Sequence, residues 1–311
     1  MSDLKLFRIG AGGVCAIPAT SVAVEKTLQT LIEAHSEAFL GVRFLASEYI
    51  TGSDVKGRID TLGIDENNSP VIIEYKRALN ENVINQGLFY LNWLMNHQKD
   101  FAWLVMKQFG VEAAEAIEWS TPRLVCIAGD FTKYDEHAIH QMPRNIELIR
   151  YRRYGEDLLL FELVNAAVAS LPGETGGKSD GSGSGSGGGK KAGGKTIAEK
   201  IATAPFDVQN CYAAIRDTVL ALGDDVQEAI RQDYVAFRRI KNFACVEVLP
   251  HNKTVVVYVK IDPDSLVPEP GFKSDARIAG HFGTGDLKIV IDSDDDLARA
   301  TPLIPRSYEA S

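Results

Sequence analysis

Residues Pro172 to Lys195 read P-G-E-T-G-G-K-S-D-G-S-G-S-G-S-G-G-G-K-K-A-G-G-K, and no compact fold can be built through them. The tract puts 11 of the chain's 27 glycines into 24 positions and offers almost no apolar side chain from which a core could grow. A coil of this composition is flexible and spans roughly 25 to 30 Å root mean square. It divides the 311 residues into two folding units, 1–171 and 196–311, as expected for domains of roughly 100 to 200 residues.

Both units have globular composition, since the chain is 45% apolar and 24% charged. The net charge of −9 divides into −6 before the tract, +2 within it and −5 after it. Neither unit is basic overall, so a surface for a polyanion must be a local patch. Cys15, Cys126, Cys211 and Cys245 are too widely spaced for a zinc knuckle or a redox pair, and buried thiols in a reducing cytoplasm are the expectation. No run of 18 apolar residues and no leader pattern occurs, so a cytoplasmic protein without a membrane span is expected.

Before the tract, Leu4 to Ile9 and Val14 to Ile17 read as short strands. Thr20 or Ser21 can cap a helix over Val22 to His35, with Val24, Leu28, Leu31 and Ile32 as its apolar stripe. Val42 to Ile50, Arg58 to Ile64 and Val71 to Arg77 read as three strands, the last two joined by a turn at residues 65–70. Helices over Glu81 to Asn96 and Asp100 to Glu118, a buried strand over Arg123 to Ala128, a short helix over Tyr134 to Gln141 and a closing strand pair complete the pattern. This order implies a layered α/β unit, a mixed sheet flanked by helices. After the tract, helices near Asn210 to Leu222 and Asp225 to Gln232, a hairpin around Pro250 to Lys253, a strand over Leu287 to Asp292 and a terminal helix imply a small α+β domain.

The segment Gly57-Arg58-Ile59-Asp60, followed by Val71-Ile72-Ile73-Glu74-Tyr75-Lys76-Arg77, carries the chemistry. Alternation along a strand sends Glu74 and Lys76 to one face. A hairpin turning about Asn67 sets Asp60 opposite Glu74, with Cβ atoms roughly 4.5 to 5.5 Å apart. Two carboxylates so close repel unless a cation lies between them, and an oxygen-only pair suits Mg²⁺ or Mn²⁺. On the preceding helix Glu25 falls at the flank of the apolar stripe and is the candidate third carboxylate, whereas Glu33 is expected to face solvent. Read on their own, Asp60 and Glu74 could instead be strand carboxylates paired with Arg58 and Lys76.

A helix acid, an Asp on one strand and Glu-x-Lys on the next resemble the PD-(D/E)XK nuclease superfamily, its RecB-like members and the catalytic domain of archaeal and actinobacterial mismatch endonucleases in particular. Gln86-Gly87-Leu88-Phe89-Tyr90 is similar to the Q-x-x-x-Y motif of RecB-like members, and the resemblance covers residues 20–165. It implies a restriction-endonuclease-like fold and metal-dependent hydrolysis of DNA phosphodiesters, in restriction, defence or repair. Asp60, Glu74, the Tyr75 carbonyl and Glu25 would hold Mg²⁺ or Mn²⁺, Lys76 would orient or help deprotonate the attacking water, and Gln86 and Tyr90 would line the cleft. Ile59 stands where the superfamily's name puts Pro. Arg58, Arg77, Arg150, Arg152 and Arg153 are the candidate contacts to nucleic acid, with RNA not excluded. A homodimer is an expectation from symmetry alone. The rival reading is a catalytically silent nucleic-acid-binding or interaction protein on the same fold. The segment Ala276 to Asp286 and the closing residues resemble a domain of unknown function found at the C-terminus of restriction-type nucleases, which implies a target-sensing or partner-binding module.

Overall fold

The computed structural model describes residues 4–10, 12–20, 25–52, 57–76, 83–167, 195–267, 269–277, 281 and 283–311, with the backbone alone at Thr20 and Glu25. The chain divides into two compact units, Met1–Ala169 and Ser170–Ser311. Residues 172–194 of the glycine tract lie outside the described residues.

The first unit begins with β1 (Leu6–Gly10) and β2 (Gly13–Ile17), an antiparallel ribbon of its own. There follow β3 (Ala19–Thr20), α1 (Glu25–Ala34), α2 (Ser36–Leu40), β4 (Val42–Ile50), β5 (Arg58–Asp65), β6 (Pro70–Lys76), α3 (Val83–Asn96), α4 (Gln98–Phe109), α5 (Val111–Glu115), β7 (Arg123–Ala128), α6 (Lys133–Ile139), β8 (Asn145–Tyr154) and β9 (Leu158–Ala167). The sheet runs β4-β5-β6-β7-β8-β3, with β9 also on β8. β4, β5 and β6 are antiparallel, β6, β7 and β8 parallel, and β9 antiparallel to β8. The switch to parallel pairing follows from the crossover through α3, α4 and α5. All six residues of β7 and the first six of β6 are buried, as near-continuous apolar runs in parallel strands should be. This is the mixed α/β architecture expected from the sequence.

Two details depart from expectation. The helix expected over Asp100 to Glu118 breaks at Gly110, whose φ of +93° ends α4 and begins α5. In α1 the buried face runs through Leu28, Gln29 and Ile32, while Leu31 is 42% exposed. The helix is rotated toward Gln29 and Glu33, because these polar side chains have partners on the sheet that no hydropathy pattern registers.

The second unit comprises α7 (Ile197–Thr203), α8 (Phe206–Leu220), β10 (Gln227–Ile230), β11 (Val235–Arg238), β12 (Asn242–Leu249), β13 (Thr254–Val259), β14 (Lys273–Asp275), β15 (Leu287–Ile291), α9 (Asp294–Ala300) and α10 (Leu303–Glu309). Its sheet runs β10-β11-β12-β13-β15-β14 and is antiparallel throughout. The helices pack Val208, Ile215, Ala300 and Ile304 against Phe237, Val246, Val257 and Ile289, giving the α+β domain expected. The segment Asp225 to Gln232, expected to be helical, contains the strand β10 instead. Its polar face is tied down by Arg216, whose guanidinium makes bonds of 2.7 to 2.9 Å to both Glu228 oxygens. Cys126 and Cys245 are buried as expected and Cys211 half-buried, but Cys15 is exposed on β2. Among the described residues, no helix is long and apolar enough to cross a membrane.

Candidate functional site

The β5–β6 turn is set by Asp65. Its Oδ1 accepts the backbone N–H groups of Asn67 (2.9 Å) and Ser69 (2.8 Å), and Asn68 takes the left-handed conformation at φ +60°. Asp65 Oδ2 lies 3.0 Å from Arg123, which also grips both oxygens of Glu147 at 2.9 and 2.8 Å, and all three side chains are buried. The turn gives the register Thr61↔Ile73, Leu62↔Ile72, Gly63↔Val71 and Ile64↔Pro70. Each pair sums to 134, the expected register, and its continuation sets Asp60 against Glu74.

Past Thr61 and Ile73 the two strands are joined through carboxylates. The Asp60 N–H donates to Glu74 Oε1 at 3.3 Å, and the Tyr75 N–H donates to Asp60 Oδ2 at 3.0 Å. Gln29 on α1 donates to the Asp60 carbonyl at 2.9 Å. Glu74 is fully buried and Lys76, two residues on, is half-buried. Burial pushes the Asp60 carboxyl above its ordinary value; the Tyr75 N–H and Lys76 pull it back, and the Glu48 carboxylate pushes it further up. The arrangement concentrates negative charge in a poorly solvated spot with an ammonium close by, a combination that favours a cation among the carboxylate oxygens.

Helix α3 closes this end of the sheet. Tyr90 is buried, and its hydroxyl accepts the Arg58 backbone N–H at 3.1 Å and the Gln86 amide at 3.2 Å. A Cβ at Gly57 would stand 2.6 Å from the Tyr90 ring, so the approach of β5 to Tyr90 requires glycine there. Gln86 and Tyr90 therefore anchor the start of β5, two residues before Asp60.

The other candidates fall in different places. Glu25 opens α1, but its side chain lies outside the described residues, as does Arg77. Arg58 is exposed and paired with Glu48 at 2.5 Å. Arg150 is not offered to a ligand: it is buried, with Asp130 at 2.7 Å and Glu162 at 3.0 Å. Arg152 is half-buried, and Arg153 donates to the Glu156 carbonyl at 2.6 Å. Glu33 does not face solvent as the helical angles implied. It accepts from Thr61 at 2.6 Å and from Gln29 at 2.9 Å, against the sheet. Among the described residues no group of three or more His, Cys, Asp or Glu stands close enough to hold a metal ion, so the described oxygens of the site are those of the Asp60–Glu74 pair.

Gln29 and Glu48 carry no signal in the sequence pattern. Gln29 is a polar residue inside a buried stripe, visible only once Leu31 is known to face outward. Glu48 stands between Ser47↔Thr61 and Tyr49↔Ile59, so it lies opposite Asp60 in the β4–β5 register. Only a register between these strands could have drawn it in.

Residues 197–311 match a family described as a domain of unknown function (DUF5655). A Haemophilus influenzae protein described only as uncharacterized is 25% identical over 310 residues, covering 98% of this chain and 100% of its own length. A solved structure described as an EndoMS–dsDNA2 complex shares 18% identity over 44% of this chain and 51% of that chain, with a TM-score of 0.24. This chain thus spans about half of that one.

Proposed function

We propose that the first unit is a metal-dependent nuclease that hydrolyses phosphodiester bonds of DNA at the Asp60–Glu74 end of β5 and β6. The observation that carries this reading is the pairing of two poorly solvated carboxylates across adjacent strands, each bonded to the other strand's backbone N–H, with Lys76 on the same strand as Glu74. The donor set fits a hard divalent cation, because it consists of carboxylate oxygens with no sulfur or imidazole, and such an ion keeps several waters. Asp60 and Glu74 would hold it, with Glu25 and the Tyr75 carbonyl as further oxygens. Bound there, Mg²⁺ or Mn²⁺ would neutralise charge on a phosphodiester under attack and acidify a water.

The chain's own groups do the rest. Lys76 holds a fixed positive charge beside the carboxylates and would orient the attacking water and steady its proton. Tyr90 and Gln86 fix the β5 entry, so that Asp60 is delivered at a set depth. Gln29 fixes the Asp60 main chain through its carbonyl.

The test is incubation of plasmid and single-stranded DNA with Mg²⁺ or Mn²⁺, beside Glu74→Gln and Lys76→Met. The expected result is metal-dependent cutting by the wild type, lost in both variants with melts near that of the wild type. Binding without cutting across metals would replace this reading by a silent nucleic-acid-binding protein.

A further inference from the structure

Beside the carboxylate pair lies a second cluster of charge, formed by Glu48, Lys26 and Arg58. Glu48, opposite Asp60 in the sheet, has φ +53° in the middle of β4, a left-handed conformation that residues bearing a Cβ rarely hold. Its carboxylate receives Lys26 Nζ from α1 at 2.9 Å and Arg58 Nε from β5 at 2.5 Å. The two cationic side chains are 56% and 63% exposed, against 29% for Glu48.

Three features require a reason other than stability. Exposed ion pairs contribute little to folding, yet here a residue in a disfavoured backbone conformation gathers two of them. Two cations on one carboxylate leave a net positive charge, on the rim of a site built around two carboxylates. Arg58 is further fixed from behind, because its backbone N–H is held by Tyr90. Left-handed backbone, shared carboxylate and anchored main chain together hold an ammonium and a guanidinium in one place, about one strand spacing from Asp60.

We propose that Lys26 and Arg58 form a phosphate clamp for the nucleic-acid strand, with Glu48 as the positioning residue that holds the two cations at the edge of the Asp60–Glu74 site. The clamp takes a backbone phosphate next to the one attacked: the ammonium acts as a compact charge and the planar guanidinium as a two-pronged donor. This rests on the nuclease reading and adds to it where the strand lies.

The experiment measures binding of a DNA duplex as a function of salt, without divalent cation, and steady-state cleavage with Mg²⁺. Lys26→Met and Arg58→Met should each reduce the steepness of log K against log salt by about one unit, raising KM as well as lowering kcat. Glu48→Gln keeps both cations but releases them. It should leave KM no higher while kcat falls about tenfold or more, and Glu48→Asn, a residue that tolerates the left-handed backbone, should do the same. Unchanged salt slopes in Lys26→Met and Arg58→Met, in a protein that cuts DNA, overturn the clamp and leave the nuclease reading standing. Unchanged kcat in both Glu48 variants removes the positioning role. A wild-type protein that neither binds nor cuts DNA overturns the nuclease reading and the clamp together.

Discussion

Asp60 carries an electrostatic cost that the fold bears. Burial outweighs the help from the Tyr75 N–H and Lys76, so the carboxyl sits above its ordinary value. An acid whose folded-state value is raised stabilises the fold fully below its unfolded value, and that contribution is lost as pH rises through the folded one. At neutral pH the charged form is therefore a penalty. Asp60→Asn retains an oxygen to accept the Tyr75 N–H and removes the charge. In the presence of a chelator it should melt above the wild type at neutral pH, with the gap closing as pH falls through the carboxylate range. Equal melts at neutral pH would mean that the neighbouring cations already cancel the burial.

The elements explain what could be read in advance and what could not. The β5–β6 hairpin was legible because Asp65, Asn67, Asn68 and Ser69 mark a turn and the apolar runs around them leave one register that buries both strands. The continuation of the same register sets Asp60 opposite Glu74, whereas Gln86 and Tyr90 stand out only by their similarity to a Q-x-x-x-Y motif. The face of α1 was misjudged, since Glu33 and Gln29 are held by Thr61 and Ser47, residues 18 to 28 positions away. β10 departs from the helix its sequence suggests because antiparallel pairing with β11 fixes it, with Glu228 held by Arg216 on α8. Helix α3 offers an element-scale check. A Cβ at Gly87 would come within 2.4 Å of Leu124 on β7, so α3 approaches the sheet at a distance only glycine allows. Gly87→Ala should destabilise by about 1 to 3 kcal/mol in urea titration. It should also impair cleavage, because Tyr90 rides on the same helix and would lose its hold on Arg58. A stable variant with full activity would show that α3 can move without disturbing β5.

At the scale of the molecule, each unit closes over its own hydrophobic core, one around β6, β7 and α3, the other around β12, β13 and α8. Residues 1–169 expressed alone are therefore expected to keep a cooperative melt and the basal cleavage of the whole chain, with target choice altered by loss of the second unit. Loss of the cooperative melt would mean that the first core depends on residues after 169. Identical target choice would remove the case for the second unit as a sensor. The negative charge of both units gains meaning in this setting. Affinity for a polyanion cannot come from the bulk surface and must be local and steeply dependent on salt.

The buried triad of Asp65, Arg123 and Glu147 bears on how the first unit matures. The β5–β6 hairpin is local in sequence, and its turn bonds lie within residues 65–69. The guanidinium of Arg123 has no complete set of counter-charges in the interior until Glu147 arrives on β8, and an uncompensated buried charge is not tolerated. The triad ties together residues 58 and 24 positions apart, so full compensation of the Arg123 charge needs β5, β7 and β8 together. A fragment ending before Glu147 is therefore expected to lack the cooperative melt of residues 1–169 although it carries Asp60 and Glu74, and a cooperative melt in that fragment would show that Asp65 alone compensates Arg123.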